Sequence, residues 1–98
     1  LALPGTVVRI PFHEIRYLEV QRNYVTVHGA EAYTVKKTLN ELEEELDESF
    51  CRTGRSYIVN LLFVKKITRM QVVLKDGEEI PLSRNFYEKM NRAMIQYF

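Results

Sequence analysis

The chain has little of what holds small secreted or membrane-borne proteins together. One cysteine, Cys51, excludes an internal disulfide. No apolar run approaches the ~20 residues needed to cross a bilayer. Residues Leu1 to Thr6 lack the basic start and apolar stretch of a signal peptide, and there is no initiator methionine. These absences point to a soluble, cytoplasmic protein in a reducing compartment, and to a piece cut from a longer chain. Catalytic constellations are missing too. Ser56 has no histidine or lysine near it in sequence, and a serine at a strand start more often bonds backbone. His13 and His28 stand fifteen apart with no cysteine or carboxylate at ligand spacing, so no metal is expected, nor any other cofactor. His28 reads as a strand-end surface residue. There are no paired catalytic acids and no phosphate-cradling glycine loop, so an enzyme is not expected. Cys51 beside Arg52 invites a redox reading, but a lone cysteine after a core phenylalanine is usually just buried.

What is present is one domain's worth of core. Ninety-eight residues with ordinary apolar content can fold without staples. The formal net charge of +1 hides an uneven distribution. Six acids and no base fall between Glu41 and Glu48, leaving fourteen bases against seven acids elsewhere. Local field, not the total, decides whether phosphate is attracted. The plainer reading of the acidic run is a solvated helix face.

Leu1 to Gly5 reads as a linker end broken by Pro4-Gly5, and residues 6–98 as the domain. Short alternating runs follow: Thr6 to Ile10, Ile15 to Val20, Tyr24 to His28 and Ala32 to Lys36. Gln21, Arg22 and Asn23 form a polar tip of hairpin length. Thr38 with Glu41 matches a capping box, and Leu39, Leu42 and Leu46 make one stripe, so a short helix is predicted there with its acids facing water. Phe50 to Asn60 crosses a polar segment to the strand Tyr57, Ile58 and Val59. Gly54 is expected to supply backbone angles other residues resist, holding Arg55 at a stiff loop edge. Leu61, Leu62 and Phe63 are expected in a tight turn that plugs the core, with Asn60 bonded to backbone rather than to a base. Val64 to Ile67 and Met70 to Leu74 are predicted strands, Lys75-Asp76-Gly77-Glu78 a hairpin turn, and Ile80 to Leu82 the closing strand. Ser83 reads as N-cap of a terminal helix carrying Tyr87, Met90, Met94 and Tyr97. The fold is therefore mainly β, with eight to ten short strands.

Arg22 with Asn23, then Arg55, then Arg84 with Asn85 each fall at a junction between elements, about thirty residues apart. Arginine and asparagine match guanine and adenine edges in the major groove. Lys36, Lys37, Lys65, Lys66 and Arg69 are candidates for phosphate, or ordinary solvating charges. The alternative is a protein-interaction β module whose exposed strand edges recruit a partner, without DNA binding.

One family gathers these marks. Ile15-Arg16-Tyr17-Leu18-Glu19 leading to Asn23-Tyr24-Val25, Thr38-Leu39 with Leu42 and Leu46, Phe50 with Arg55-Ser56-Tyr57-Ile58-Val59-Asn60, and Gly77 with Ile80-Pro81-Leu82-Ser83-Arg84 run in one order over about nine tenths of the chain. That ordered set resembles the LytTR DNA-binding domain found at the C-terminal end of many bacterial response regulators. The resemblance implies an elongated β-β-β sandwich of short, mostly antiparallel strands, with one short internal helix and a C-terminal helix. It further implies sequence-specific binding of double-stranded DNA through loops, as the output domain of a two-component transcription regulator. Position by position, the DNA contacts become Arg22, Asn23 and Tyr24, then Arg55, then Arg84 and Asn85. The outer loops would enter successive major grooves and Arg55 the minor groove between them. The resemblance also implies an N-terminal receiver domain in the full-length chain, and two directly repeated half-sites bound as a dimer, with the isolated domain monomeric. Gly54 departs from the pattern, since many members have histidine there; this removes a phosphate or sugar contact and is expected to leave Arg55 less buttressed.

Overall fold

Two strands in the middle of the molecule and the edge strand beside them carry apolar side chains on both faces, so one sheet serves two cores. The computed structural model describes residues 2–3 and 6–97. Its ten short strands are β1 (Ala2–Leu3), β2 (Thr6–Val7), β3 (Tyr17–Gln21), β4 (Tyr24–His28), β5 (Ala32–Val35), β6 (Phe50–Arg52), β7 (Tyr57–Asn60), β8 (Val64–Ile67), β9 (Gln71–Leu74) and β10 (Glu79–Pro81). Two α-helices, α1 (Leu39–Glu45) and α2 (Tyr87–Tyr97), and three 3-10 turns, Phe12–Glu14, Leu61–Phe63 and Arg84–Phe86, complete the order. Strands β5-β4-β3-β7-β6 form a five-stranded sheet, β10-β9-β8 a three-stranded one and β1-β2 a small hairpin, all with antiparallel pairing.

In the central pair the register sets Tyr17 opposite Val59 and Leu18 opposite Ile58. Because successive side chains point to opposite faces, Leu18 and Ile58 join Val25, Val27 and Val35 under the leucines of α1, while Tyr17, Cys51 and Val59 meet Val72, Leu74 and Ile80 of the three-stranded sheet and Met90 of α2. Each fully buried Leu, Ile or Met contributes roughly 1.5–3 kcal/mol relative to its exposed state. Two cores thus share one sheet, in a body 40 × 24 × 24 Å along its principal axes.

The capping box forms: the Thr38 hydroxyl accepts from the Glu41 amide at 3.1 Å, and the Glu41 carboxylate accepts from the Thr38 amide at 3.4 Å. Leu39 and Leu42 are buried and Leu46 half-buried. Asn60, with no exposed surface, donates to the carbonyls of Ile15 (2.8 Å) and Phe12 (3.1 Å) and accepts from the Leu62 amide (3.0 Å). It is the backbone fastener that its position predicts.

Several expectations are revised. Of the run 6–10, the strand covers Thr6–Val7, and it pairs with Ala2–Leu3, within the segment read as a linker end; the Pro4-Gly5 breaker lies outside the described residues. Leu62 faces solvent, because the turn over Leu61–Phe63 is a single 3-10 turn that can bury only part of its surface, and Leu61 takes the core position. Met70 is 77% exposed in the turn before β9. Ser83 makes no side-chain cap; a 3-10 turn (Arg84–Phe86) is closed by the Phe86 amide bonding the Ser83 carbonyl at 2.9 Å, and α2 begins only at Tyr87. Gly77 has the positive φ (+93°) that its hairpin needs, whereas Gly54 does not, and a Cβ on Gly54 would meet only Ser83 Cβ, at an ordinary 3.5 Å. Glycine is not required at position 54.

Candidate nucleic-acid interface

The ladder between β3 and β4 ends at the pair Gln21 and Tyr24, so Arg22 and Asn23 alone make the turn. Two-residue hairpin turns need positive φ. Arg22 supplies it, with φ 59°, a conformation costing a side-chain-bearing residue roughly 1–2 kcal/mol. A strained, fully charged tip is unfavourable for stability alone, and such outliers concentrate where function requires them. Tyr24, next along, is 45% exposed.

The loop between β6 and β7 lies beside this tip. The Val20 amide donates to the Ser56 carbonyl at 2.9 Å, extending the β3 to β7 ladder into the loop, and the Thr53 amide donates to Tyr57 at 3.1 Å. Arg55 is exposed at its crest. Between tip and loop lies an open hollow of about 490 Å³, lined by Arg22, Lys37, Arg52 and Arg55 and by no carboxylate. Asn23 and Tyr24 share its wall. Two of the four cations are already paired: Lys37 Nζ lies 2.8 Å from Glu45, a hydrogen bond that raises its pKa, and Arg52 Nε lies 3.4 Å from Glu43. Among the described residues no ion pair engages Arg22 or Arg55.

The third junction is tied to the second by backbone. The Ser83 amide donates to the Thr53 carbonyl at 2.7 Å, and the Leu82 amide to the Met70 carbonyl at 2.9 Å. A second hollow, of about 810 Å³, holds Arg69, Arg84 and Asn85 against Met70, Tyr87 and one acid, Glu88. The Arg69 guanidinium sits over the Tyr87 ring, 5.7 Å from its centroid. The β3-β4 tip, the Arg55 loop and the Arg84 turn are therefore joined in series through main-chain hydrogen bonds. A concave, cationic surface with amide groups in its walls attracts phosphate and offers donors to base edges.

Arg22, Asn23, Tyr24 and Arg55 thus gather at the first hollow, and Arg84 and Asn85 at the second. Of the phosphate candidates, Lys37 and Arg69 join them. Lys36, Lys65 and Lys66 are exposed but line neither hollow, Lys65 sitting at a register shift in β8. Sequence reasoning missed Arg52 and Asn40, which also line the first hollow; alternation along so short a strand does not show that the Arg52 side chain folds back across its own loop.

Two of the other groups weighed for chemistry, Cys51 and His28, are held in the structure. Burial pushes the Cys51 thiol pKa up, away from thiolate chemistry. His28 ends its strand as expected but is half-buried rather than free at the surface: its ring stacks on Tyr17, 4.2 Å between centroids, and its Nε2 lies 2.7 Å from Glu19. Burial, then the hydrogen bond to Glu78 (3.1 Å), pushes the Tyr17 hydroxyl up to about 12.

Comparison with known proteins identifies the family and the fold. Residues 5–95 match the model of the LytTr DNA-binding domain. The chain is 29% identical over 101 residues to the sensory transduction protein LytT of Bacillus subtilis, covering 96% of this chain but only 42% of that protein. It superposes on a solved LytTr DNA-binding domain from Bacillus cereus with a TM-score of 0.76 and 32% identity, over 90% of this chain and 86% of the other.

Proposed function

The chain belongs to the LytTR family of DNA-binding domains, and from that premise we propose that it is the DNA-reading output domain of a bacterial transcription regulator, gripping duplex DNA through three stitched loops. The carboxylate-free hollow shared by the β3-β4 tip and the Arg55 loop carries this reading, since it leaves Arg22 and Arg55 without protein counter-charges. In this reading Arg22, Asn23 and Tyr24 meet one major groove, Arg84 and Asn85 the next, and Arg55 the minor groove between. Arg69 neutralises a flanking phosphate, while Lys37, bonded to Glu45, lines the hollow without a phosphate of its own. The 40 Å long axis is commensurate with one helical turn of duplex, ~34–36 Å. The domain spans residues 6–98 and is not an enzyme.

The chain spans 42% of the length of its curated relative, and we assign the remainder of the whole protein to a receiver domain preceding this one. That half would supply dimerisation on two directly repeated half-sites, with this domain monomeric alone. Among the described residues no helix is long and apolar enough to cross a membrane, in keeping with a cytoplasmic regulator.

Selection of bound fragments from random duplex DNA, followed by fluorescence titration of the winner and a scrambled control across a salt series, tests the assignment. A recovered motif bound at least 10³-fold more tightly than the control is expected, roughly the lower limit for specific readers. Equal binding of both duplexes would reduce the domain to generic phosphate attraction. No binding at low salt would favour the protein-interaction module.

A further inference from the structure

Arg52 lines the first hollow but is not presented to it as the other cations are. Its side chain is only 12% exposed. One nitrogen, Nη1, donates to two carbonyls of the neighbouring loop, Gly54 at 3.2 Å and Arg55 at 3.1 Å. Nη2 donates to the Asn40 side-chain carbonyl, and Nε lies 3.4 Å from the Glu43 carboxylate, both on α1. A single planar fork therefore spans from the acidic helix to the backbone of the residue at the loop crest. Main-chain hydrogen bonds hold the loop on either side of the crest, at Thr53 and Ser56; at the crest itself Gly54 takes an ordinary φ, has room beside it, and brings a residue type that loses much freedom when ordered.

We propose that Arg52 is a positioning residue for DNA recognition, which fixes the main chain of Arg55 by gripping the two carbonyls at the loop crest, with Asn40 and Glu43 of α1 as its anchor. The proposal rests on the DNA-reading function above and gives the acidic helix a part in it. Helix carboxylates that would repel phosphate if presented to it serve instead to orient a guanidinium. The departure at position 54 finds its explanation here: the loop is buttressed from inside by Arg52 rather than by a side chain at 54. Lysine cannot substitute, because an ammonium lacks the fixed fork that serves loop and helix together.

Without the grip the crest samples conformations in which Arg55 is misplaced, and apparent affinity falls by the fraction still competent, so a loop ordered one tenth of the time loses about tenfold. The experiment compares Arg52→Met, Arg55→Ala and the double variant on the selected duplex over a salt series. It also follows backbone amide exchange and relaxation of residues 53–56 in the free protein. Arg52→Met is expected to weaken binding about tenfold with an unchanged salt slope, to add nothing on the Arg55→Ala background, and to raise mobility at 53–56 alone. A slope shallower by about 0.9 would show that Arg52 meets phosphate itself and overturn the proposal; so would additive losses, or a loop as ordered as before. Where Arg52→Met does not fold, Asn40→Ala with Glu43→Gln on the exposed helix face loosens the same anchor and is read the same way. The free-protein measurement separates failure of this role from failure of DNA binding: a loop loosened in a chain that selects no duplex would sink the function and leave the grip standing.

Discussion

Raising salt is expected to weaken the DNA complex by an amount that the two hollows fix. They hold Arg22, Lys37, Arg52, Arg55, Arg69 and Arg84. Lys37 is bonded to Glu45, and Arg52 is turned inward between Glu43 and the loop carbonyls. Neither is free to displace counterions at phosphate. Four cations remain, Arg69 at phosphate and Arg22, Arg55 and Arg84 in the grooves; all four displace counterions on docking, and at about 0.9 each they give a slope of log affinity against log salt near −3.6. Between about 50 and about 200 mM salt the affinity then falls roughly 150-fold. Fluorescence anisotropy of a labelled duplex in a sodium chloride series measures the slope directly. Replacing Lys65 and Lys66 together by alanine is expected to leave it unchanged, since neither lines a hollow. A slope shallower than about −1 would mean that these cations do not enter the grooves or reach the phosphates. A slope that loses about 1.8 on removal of the two lysines would put the duplex against β8 and refute the placement.

Three further outcomes follow from single side chains. Arg84→Ala is expected to weaken binding to the selected duplex by about 1–3 kcal/mol and to relax the preference at one base position, as for a lost bidentate base contact; an unchanged affinity in the same titration removes Arg84 from the readout. Asn60→Ala strips three hydrogen bonds from a site with no exposed surface, at about 1 kcal/mol each. Urea unfolding should therefore show a loss near 3 kcal/mol with an unchanged m value, and a loss under about 1 kcal/mol would mean that solvent replaces those bonds. Tyr17 keeps its proton to about pH 12 in the folded chain against 10 for an ordinary tyrosine. The folded state then holds more protons than the unfolded state between those values, so stability present below pH 10 is lost as pH rises towards 12. Tyr17→Phe should flatten that part of the urea-midpoint curve, and an identical decline in the variant would assign it to other groups.

How much was legible in the residues depends on the range of the interaction. The α1 capping box and the Asp76-Gly77 turn are local, each fixed by residues at most four apart, and each forms as its spacing predicts; the hairpin tip forms too, but as Arg22 and Asn23 alone, because Gln21, read as part of it, pairs with Tyr24. Asn60, an amide at a strand-to-turn junction, declared its backbone role as well. Misplaced features were settled by distant partners. Leu62 looks like core but competes with Leu61 for one buried position, and His28 looks like surface until Tyr17 and Glu19 close on it from the adjacent strand. Ser83 has the chemistry of a helix cap, yet its amide is taken by Thr53, thirty residues upstream, and the helix starts later. The loops proposed for DNA could be located from sequence. Their mutual attachment could not, because it runs through amide and carbonyl groups that every residue possesses.

That attachment bears on how such a reader can change its preference. The bonds from Val20 to Ser56, from Ser83 to Thr53 and from Leu82 to Met70 use main-chain atoms only, so substituting Arg22, Asn23, Arg84 or Asn85 leaves the alignment of the three crests intact. A lineage could exchange one operator for another through a handful of point changes without refolding anything. Proline is the exception: at Ser83 it would delete the amide that keeps the Arg84 turn in step with the Arg55 loop, and every target would suffer alike.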